Sequence, residues 1–181
     1  MLSSQSLVNQ GVKMFKGFPK IPRYANESYT ITEKIDGTNG CVVILEDGEV
    51  LAQSRGRIIT PSDDNMGFAK WVEANQQELK MLGVGYHYGE WWGKGIQRRY
   101  FENDKVFSLF AWWLTPEEIP SCCRVVPVIA QTIEDATHRL QTEGSIASPG
   151  FNDPEGFIVT SNLHRQILYK VVISEANKDR K

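Results

Sequence analysis

Apolar and polar positions alternate in short runs along most of the chain, and the period lengthens toward a helical one in two places. Ser28 to Lys34 (SYTITEK) alternates and is rich in β-branched residues, which predicts a strand. Cys41 to Leu45 (CVVIL) reads as a buried strand. Glu46-Asp47-Gly48-Glu49 is a hairpin turn, and Val50 to Ser54 is its return strand. Between Asn65 and Leu82 the apolar residues Phe68, Trp71, Val72, Leu79 and Leu82 fall on one helical face, and Gly83 supplies a stop. Tyr86 to Trp92 and Lys105 to Trp112 are two more strands, with Arg124 to Ile129 as a short third. Thr132-Ile133-Glu134-Asp135 opens a second helix with a capping-box-like start, ending near Gly144. Phe157 to Thr160 and Gln166 to Ile173 are the last strands. The lead-in to Ala25, with Gly11, Gly17, Pro19 and Pro22, predicts little regular structure, and the polar tail from Ser174 predicts fraying. Strands dominate and helices are interleaved, so the expected class is α+β with largely antiparallel sheets, in one domain spanning residues 1–181.

Composition narrows the class. The chain has 181 residues, 41% of them hydrophobic and 23% charged, which is enough apolar material for one core. The formal net charge is -2, so binding driven by a global positive field is excluded, and any nucleic-acid contact must come from a local patch. Three cysteines, two of them adjacent, give neither a disulfide framework nor zinc-ligand spacing, which predicts a reduced, cytoplasmic protein. No apolar run is long enough for a signal peptide or a membrane span. A basic patch does exist: Lys94, Arg98 and Arg99 form a loop flanked by Tyr100 and Phe101. Cations beside aromatics suit phosphate neutralisation with base stacking, and Arg57, Lys20 and Arg23 could extend the patch. The plainer reading is a solvated basic loop.

The densest chemistry lies in Glu33-Lys34-Ile35-Asp36-Gly37-Thr38-Asn39. Strand alternation would put Lys34 and Asp36 on one face. Lysine is a nucleophile only when its amine is deprotonated, which neighbouring cations or desolvation favour. Further along stand Ser54-Arg55-Gly56-Arg57, Tyr88-Gly89-Glu90, Val106-Phe107-Ser108-Leu109, Pro154-Glu155-Gly156-Phe157 and Leu168-Tyr169-Lys170-Val171-Val172. Singly, each has a plain reading: a charged strand end, a salt-bridged glutamate, a core phenylalanine, a turn.

In this order the six blocks resemble motifs I, Ia, III, IIIa, IV and V of the covalent nucleotidyltransferase superfamily of polynucleotide ligases and capping enzymes. The first block, EKIDGTN, is most similar to the RNA ligase 2-like branch, and the resemblance covers Glu33 to Val172. It implies an ATP-grasp-like adenylation domain of two largely antiparallel sheets with flanking helices. It implies that Lys34 attacks the α-phosphate of ATP to form lysyl-AMP, that AMP passes to a 5′-phosphate end, and that a 3′-hydroxyl then displaces it. Glu155 is implied as the acid that holds Mg²⁺ or Mn²⁺. Lys170 is implied at the α-phosphate, where its charge would also favour the free amine of Lys34. Glu90 is implied at the ribose, Phe107 against the purine, and Arg55 near the sugar and the phosphate end. Glu33 is implied at the adenine edge, partly through backbone, and Asn39 at the reactive phosphate, with Asp36 and Gly37 completing the nucleophile's motif. Arg55, Arg57, Lys94, Arg98 and Arg99 form the expected nucleic-acid surface.

Two positions depart from the pattern: Val172 replaces the second lysine of motif V, and Ser108 stands where an acid usually follows the aromatic. Nine residues follow Val172, which leaves no room within this sequence for an OB-fold or helical C-terminal domain. The expected protein is a minimal, monomeric ATP-dependent RNA ligase acting on RNA ends or nicked duplex, with DNA also conceivable, in the cytoplasm, or in the host cytoplasm if viral. The competing expectations are a DNA nick ligase, a capping-type guanylyltransferase core, and a non-catalytic module that binds nucleotides or RNA ends.

Overall fold

The computed structural model describes residues 28–98, 100–164 and 166–174. The expectations for the lead-in, the tail, Lys20, Arg23 and Arg99 lie outside the described residues. Among the described residues ten strands form two sheets. The smaller is antiparallel throughout, in the order β10 (Gln166–Val172), β9 (Gly156–Ser161), β1 (Tyr29–Lys34), β8 (Val128–Ala130). The larger runs β4 (Ile58–Ile59), β3 (Val50–Ser54), β2 (Thr38–Ile44), β5 (Gly85–Gly93), β6 (Lys105–Leu109), β7 (Cys123–Val125), and only its β6–β7 pair is parallel. The mixed, largely antiparallel α+β architecture is the expected one.

Each sheet buries one face against helix. Ile31, Phe157 and Val159 of the small sheet pack on Ala136 and Leu140 of α3 (Ile133–Glu143). That helix starts where the sequence places it: the Thr132 hydroxyl accepts the Asp135 N–H at 3.1 Å, which satisfies one orphan donor of the first turn. Val42, Trp91 and Phe107 of the large sheet pack on Phe68, Ala69 and Val72 of α1 (Phe68–Ala74). The opposite faces of the two sheets meet at a junction of Ile35, Trp92, Tyr100 and Val126.

The strand expected over 105–112 ends at Leu109, and two further expected elements differ. The single helix over 65–82 is three pieces: α1, α2 (Gln76–Leu79) and a 3₁₀ turn over Lys80–Leu82. The break is Asn75, whose φ of -112° leaves the helical region and whose side-chain amide donates to the Trp71 carbonyl at 2.7 Å. The expected strand over 124–129 is cut in two, and its halves join different sheets. Pro127 lies at the crossing; it has no N–H to give a ladder, while its carbonyl accepts the Glu33 N–H at 3.0 Å.

Candidate functional site

The site forms where the chain passes from the small sheet to the large one through Ile35, Asp36 and Gly37. Ile35 is buried in the junction core and anchors this crossing. Lys34 is the last residue of β1, and its Nζ donates to Glu155 Oε2 at 2.6 Å. Glu155 immediately precedes β9, and Gly156 pairs with Lys34 on one side and Val172 on the other. Directly opposed residues share a sheet face, as do residues two apart on one strand. By that rule Ile158 aligns Thr32 with Lys170, so Lys34 and Lys170 face the same way. Lys170 is exposed there.

The large sheet supplies the other wall. Asn39 pairs with Glu90, and Glu90 with Ser108, so these three share a face. Glu90 accepts the Gly37 N–H at 3.0 Å. Burial pushes its carboxyl up to about 7; Lys34 and the Gly37 N–H pull it back, while Glu155 and Asp36 push it further up. Gly37 is needed for this approach: a Cβ there would stand 2.5 Å from the Trp91 carbonyl and 2.8 Å from Trp92 Cβ. Asp36 donates its backbone N–H to the Tyr100 hydroxyl at 2.9 Å and accepts from Arg98 Nε at 2.9 Å. Because β1 ends at Lys34, alternation does not carry on to Asp36. The two side chains part, Lys34 to Glu155 and Asp36 to Arg98.

The structure thus brings Lys34, Glu155, Glu90, Asp36 and Gly37 together, and Asn39 and Arg55 line an adjoining groove of about 160 Å³ with Gln53, Tyr88 and Phe110. A larger concavity of about 400 Å³ holds none of the expected residues; it lies among Met81, Tyr86 and Trp113 and shares Tyr88 and Phe110 with the groove.

Three expectations are corrected. Phe107 is 0% exposed and faces α1, with its ring 5.0 Å from Phe68 and 5.5 Å from Trp71, so it cannot stack on a ligand in the cleft. It fills space that Gly89 leaves open: a Cβ at Gly89 would meet the Phe107 ring at 2.7 Å. The aromatics on the cleft side include Tyr88 and Phe110; Phe110 is 38% exposed and continues the ladder by donating its N–H to the Tyr88 carbonyl at 2.9 Å. Its signal was parity, since Phe107 and Phe110 are an odd number of residues apart and face oppositely; only the register with Glu90 says which one faces the cleft.

The Glu33 side chain points into the α3 layer. It accepts from Ser145 Oγ at 2.6 Å and from the Ile146 and Ala147 N–H groups at 2.8 Å each, and burial still raises its carboxyl above the usual range. No carboxylate is left to read a base edge, since β-alternation turns it away from Lys34.

Arg98 is not a free cation of a basic loop. Its side chain is 10% exposed and bonded to Asp36, Asp153 and Ser174. Lys94 is exposed, and Arg57 is exposed but paired with Asp63.

Among the described residues no three His, Cys, Asp or Glu side chains converge on a point that could hold a metal alone. A hard divalent cation still fits, because Mg²⁺ commonly takes one or two carboxylates and fills its remaining positions with phosphate oxygens and water. Glu155, with one oxygen on Lys34 Nζ, is the carboxylate here that could hold it. No described helix is long and apolar enough to cross a membrane.

Comparisons with known proteins give a family and a fold. A protein-family model described as RNA ligase matches residues 27–172. No curated protein sequence matches the chain. Among solved structures, the RNA ligase of Naegleria gruberi, a K326A mutant with ATP and Mn, is similar with a TM-score of 0.56 at 18% identity. The match covers 83% of this chain and 50% of that one, so the chain spans half the length of that structure.

Proposed function

We propose, from the premise that this chain belongs to the RNA ligase family, that it is an ATP-dependent enzyme that stores AMP on Lys34 and delivers it to RNA ends. The observation that carries the reading is the 2.6 Å contact between Lys34 and Glu155, with Glu90 and Lys170 on the flanking faces.

Lys34 Nζ attacks the α-phosphorus of ATP. An N–P bond forms, the P–O bond to pyrophosphate breaks, and the amine sheds its protons. Splitting a difficult joining reaction into such steps is ordinary covalent catalysis. Glu155 is the nearest base to those protons. Lys170, on the same face, offsets charge that grows on the α-phosphate. Glu155 would hold a divalent cation, which would supply Lewis-acid stabilisation of phosphate charge when bound. Asn39, opposite Glu90, faces the sugar and phosphate region. Phe110 and Tyr88 offer π-faces to the purine, the role first expected of Phe107, and Arg55 borders the groove on the sugar side. The exposed Lys94, Arg57 and Arg55 offer cations to an RNA backbone; the same cations would serve a DNA end. AMP then passes to a 5′-phosphate, and a 3′-hydroxyl displaces it to join the ends.

The test is the intact mass of the protein after incubation with ATP and Mg²⁺ or Mn²⁺. A gain of one AMP in the wild type, absent in Lys34→Ala, is expected. Persistence of the adduct in Lys34→Ala would sink the assignment. Sealing assays on nicked RNA and nicked DNA then separate RNA from DNA ends, and GTP competition separates adenylyl from guanylyl transfer.

A further inference from the structure

We propose that Arg98 is a positioning residue that sets the Lys34–Glu155 contact by tying together the segments that carry them; its catalytic consequence rests on the function proposed above. One guanidinium reaches three segments. Nε donates to Asp36 Oδ2 at 2.9 Å, Nη1 to Asp153 Oδ2 at 2.5 Å and to the Asp153 carbonyl at 2.6 Å, and Nη2 to Ser174 Oγ at 2.8 Å.

The positions of those partners matter more than their number. Asp36 is two residues after Lys34, and Asp153 is two residues before Glu155. The Lys34–Glu155 ion pair and the Arg98 bonds therefore close a ring: Lys34 to Asp36 along the chain, across Arg98 to Asp153, along the chain to Glu155, and back to Lys34. Its two short chain segments are stiff. Ile35 is buried in the junction core, and Pro154 has its φ fixed by its own ring. Ser174 adds a third tether, since the Ile173 and Ser174 N–H groups donate to the Glu155 carbonyl at 3.0 and 3.4 Å. With the ends so held, Lys34 and Glu155 have little freedom to drift apart.

The chemistry requires arginine. Three nitrogens in one plane each meet a different segment, and a lysine ammonium, a single point on a flexible stem, cannot bridge all three. The guanidinium also offsets Asp36, whose carboxylate would otherwise compete with Glu155 for the Lys34 ammonium only two residues away. The loop is shaped to deliver it. Gln97 has a φ of 43°, in the left-handed region that side-chain-bearing residues rarely adopt, and the next residue turns inward to the ring. Four of its five N–H donors are engaged and the side chain is 10% exposed, which leaves Arg98 little to offer an RNA phosphate.

The experiment reads the ring directly and then its catalytic effect. Nucleotide-free wild type, Arg98→Lys, Asp153→Asn and Glu155→Gln are treated with a small water-soluble N-hydroxysuccinimide ester, and acylation of Lys34 is followed by peptide mass. A lysine whose protons are held by a carboxylate reacts slowly. Arg98→Lys should therefore label several-fold faster than wild type and approach Glu155→Gln, with Asp153→Asn intermediate. Adenylylation at saturating ATP should fall by roughly 100-fold in Arg98→Lys, the scale of an ångström-sized misplacement, while the KM for ATP stays close to wild type. Thermal melting checks that each variant is folded, and Asp153→Asn, altered at a half-exposed position, keeps the test open should Arg98→Lys not fold. Wild-type labelling in the Arg98 and Asp153 variants would overturn the proposal; joined to a loss of RNA affinity, it would return Arg98 to the nucleic-acid surface. Faster labelling without any AMP adduct in the wild type would uphold the ring and reject the function. An adduct with unchanged labelling would do the reverse.

Discussion

The two faces of the large sheet are built from the same residue types and have opposite fates. On the α1 side, Trp91 and Phe107 are 2% and 0% exposed and pack against Phe68 and Trp71. On the cleft side, Tyr88 and Phe110 are 54% and 38% exposed, and Glu90 lies among them as a buried carboxylate. Among the described residues one face has a helix to cover it and the other has none. A pair of large aromatics left in the open beside a buried acid is poor architecture for stability alone and good architecture for receiving a flat ligand with hydroxyls. The α1 face therefore measures what the fold needs, and the cleft face measures what a ligand would add.

The sharpest way to break that comparison is to delete the two phenylalanines separately. Phe107→Ala should cost about 3–5 kcal/mol of stability, the usual loss for an aromatic removed from a close-packed core. Phe110→Ala should cost about 1 kcal/mol or less, since over a third of its surface is already in water. Urea unfolding reads both. Equal losses would mean that Phe110 is also core, and the purine-stacking reading would go with it.

Glu90 sharpens the contrast from the side of charge. Its carboxyl titrates near 7, above the ordinary 4.5, because burial disfavours the ionised form. A raised carboxyl favours the folded state fully only below the ordinary value, and that contribution is lost as the pH climbs from about 4.5 through about 7. Glu90→Gln keeps an oxygen for the Gly37 N–H but carries no charge. It should match wild-type stability near pH 4 and exceed it above pH 7 by up to about 3 kcal/mol, the free energy equivalent of the shift. Thermal melts across pH measure the gap. The same variant should lose adenylylation activity, so a gain in stability would accompany a loss of function, as expected where a site holds a charge the fold would rather not bury. A flat difference across pH would mean the acid is solvated.

The period of the sequence exposed most of the fold and only part of the site. Strands β1, β3 and β10 and helix α3 were legible because alternation, turn residues and the Thr132 cap act locally. The break at Asn75 and the split of 124–129 between two sheets were not, because both follow from what the segments pack against. Lys34, Glu90 and Glu155 could be found from motif order. Which way a side chain points could not, since parity says that two residues face oppositely and register alone says where. That is why Glu33 and Phe107 turn away from the cleft and Phe110 turns toward it. Arg98 was misplaced for a related reason: its charge is visible in the sequence, while Asp36 and Asp153, which absorb it, lie 62 and 55 residues away.

The groove itself gives a finer comparison, between affinity and rate. Phe110 borders the groove proposed for a base, whereas Lys34 and Glu155, in contact at 2.6 Å, are the groups proposed to meet the reacting phosphate. Stacking a base on an aromatic is worth about 1–3 kcal/mol by alanine substitution. Phe110→Ala should therefore raise the KM for ATP about tenfold and leave the rate of adduct formation at saturating ATP nearly unchanged. Phe110→Tyr, which keeps the π-face, should restore the KM. A fall in the saturated rate with an unchanged KM would place Phe110 among the groups that act on the transition state. The division between a cleft face that binds and a crossing loop that reacts would then have to be redrawn. The smallest effect belongs to Arg57, which is exposed and paired with a still more exposed Asp63. Arg57→Ala should leave both the KM and stability within about 1 kcal/mol of wild type, as exposed ion pairs usually do. It should weaken RNA binding at low salt and lose that effect at high salt, where counterions already screen the phosphates. A salt-independent loss would mean that Arg57 touches a base or a sugar, not the backbone charge.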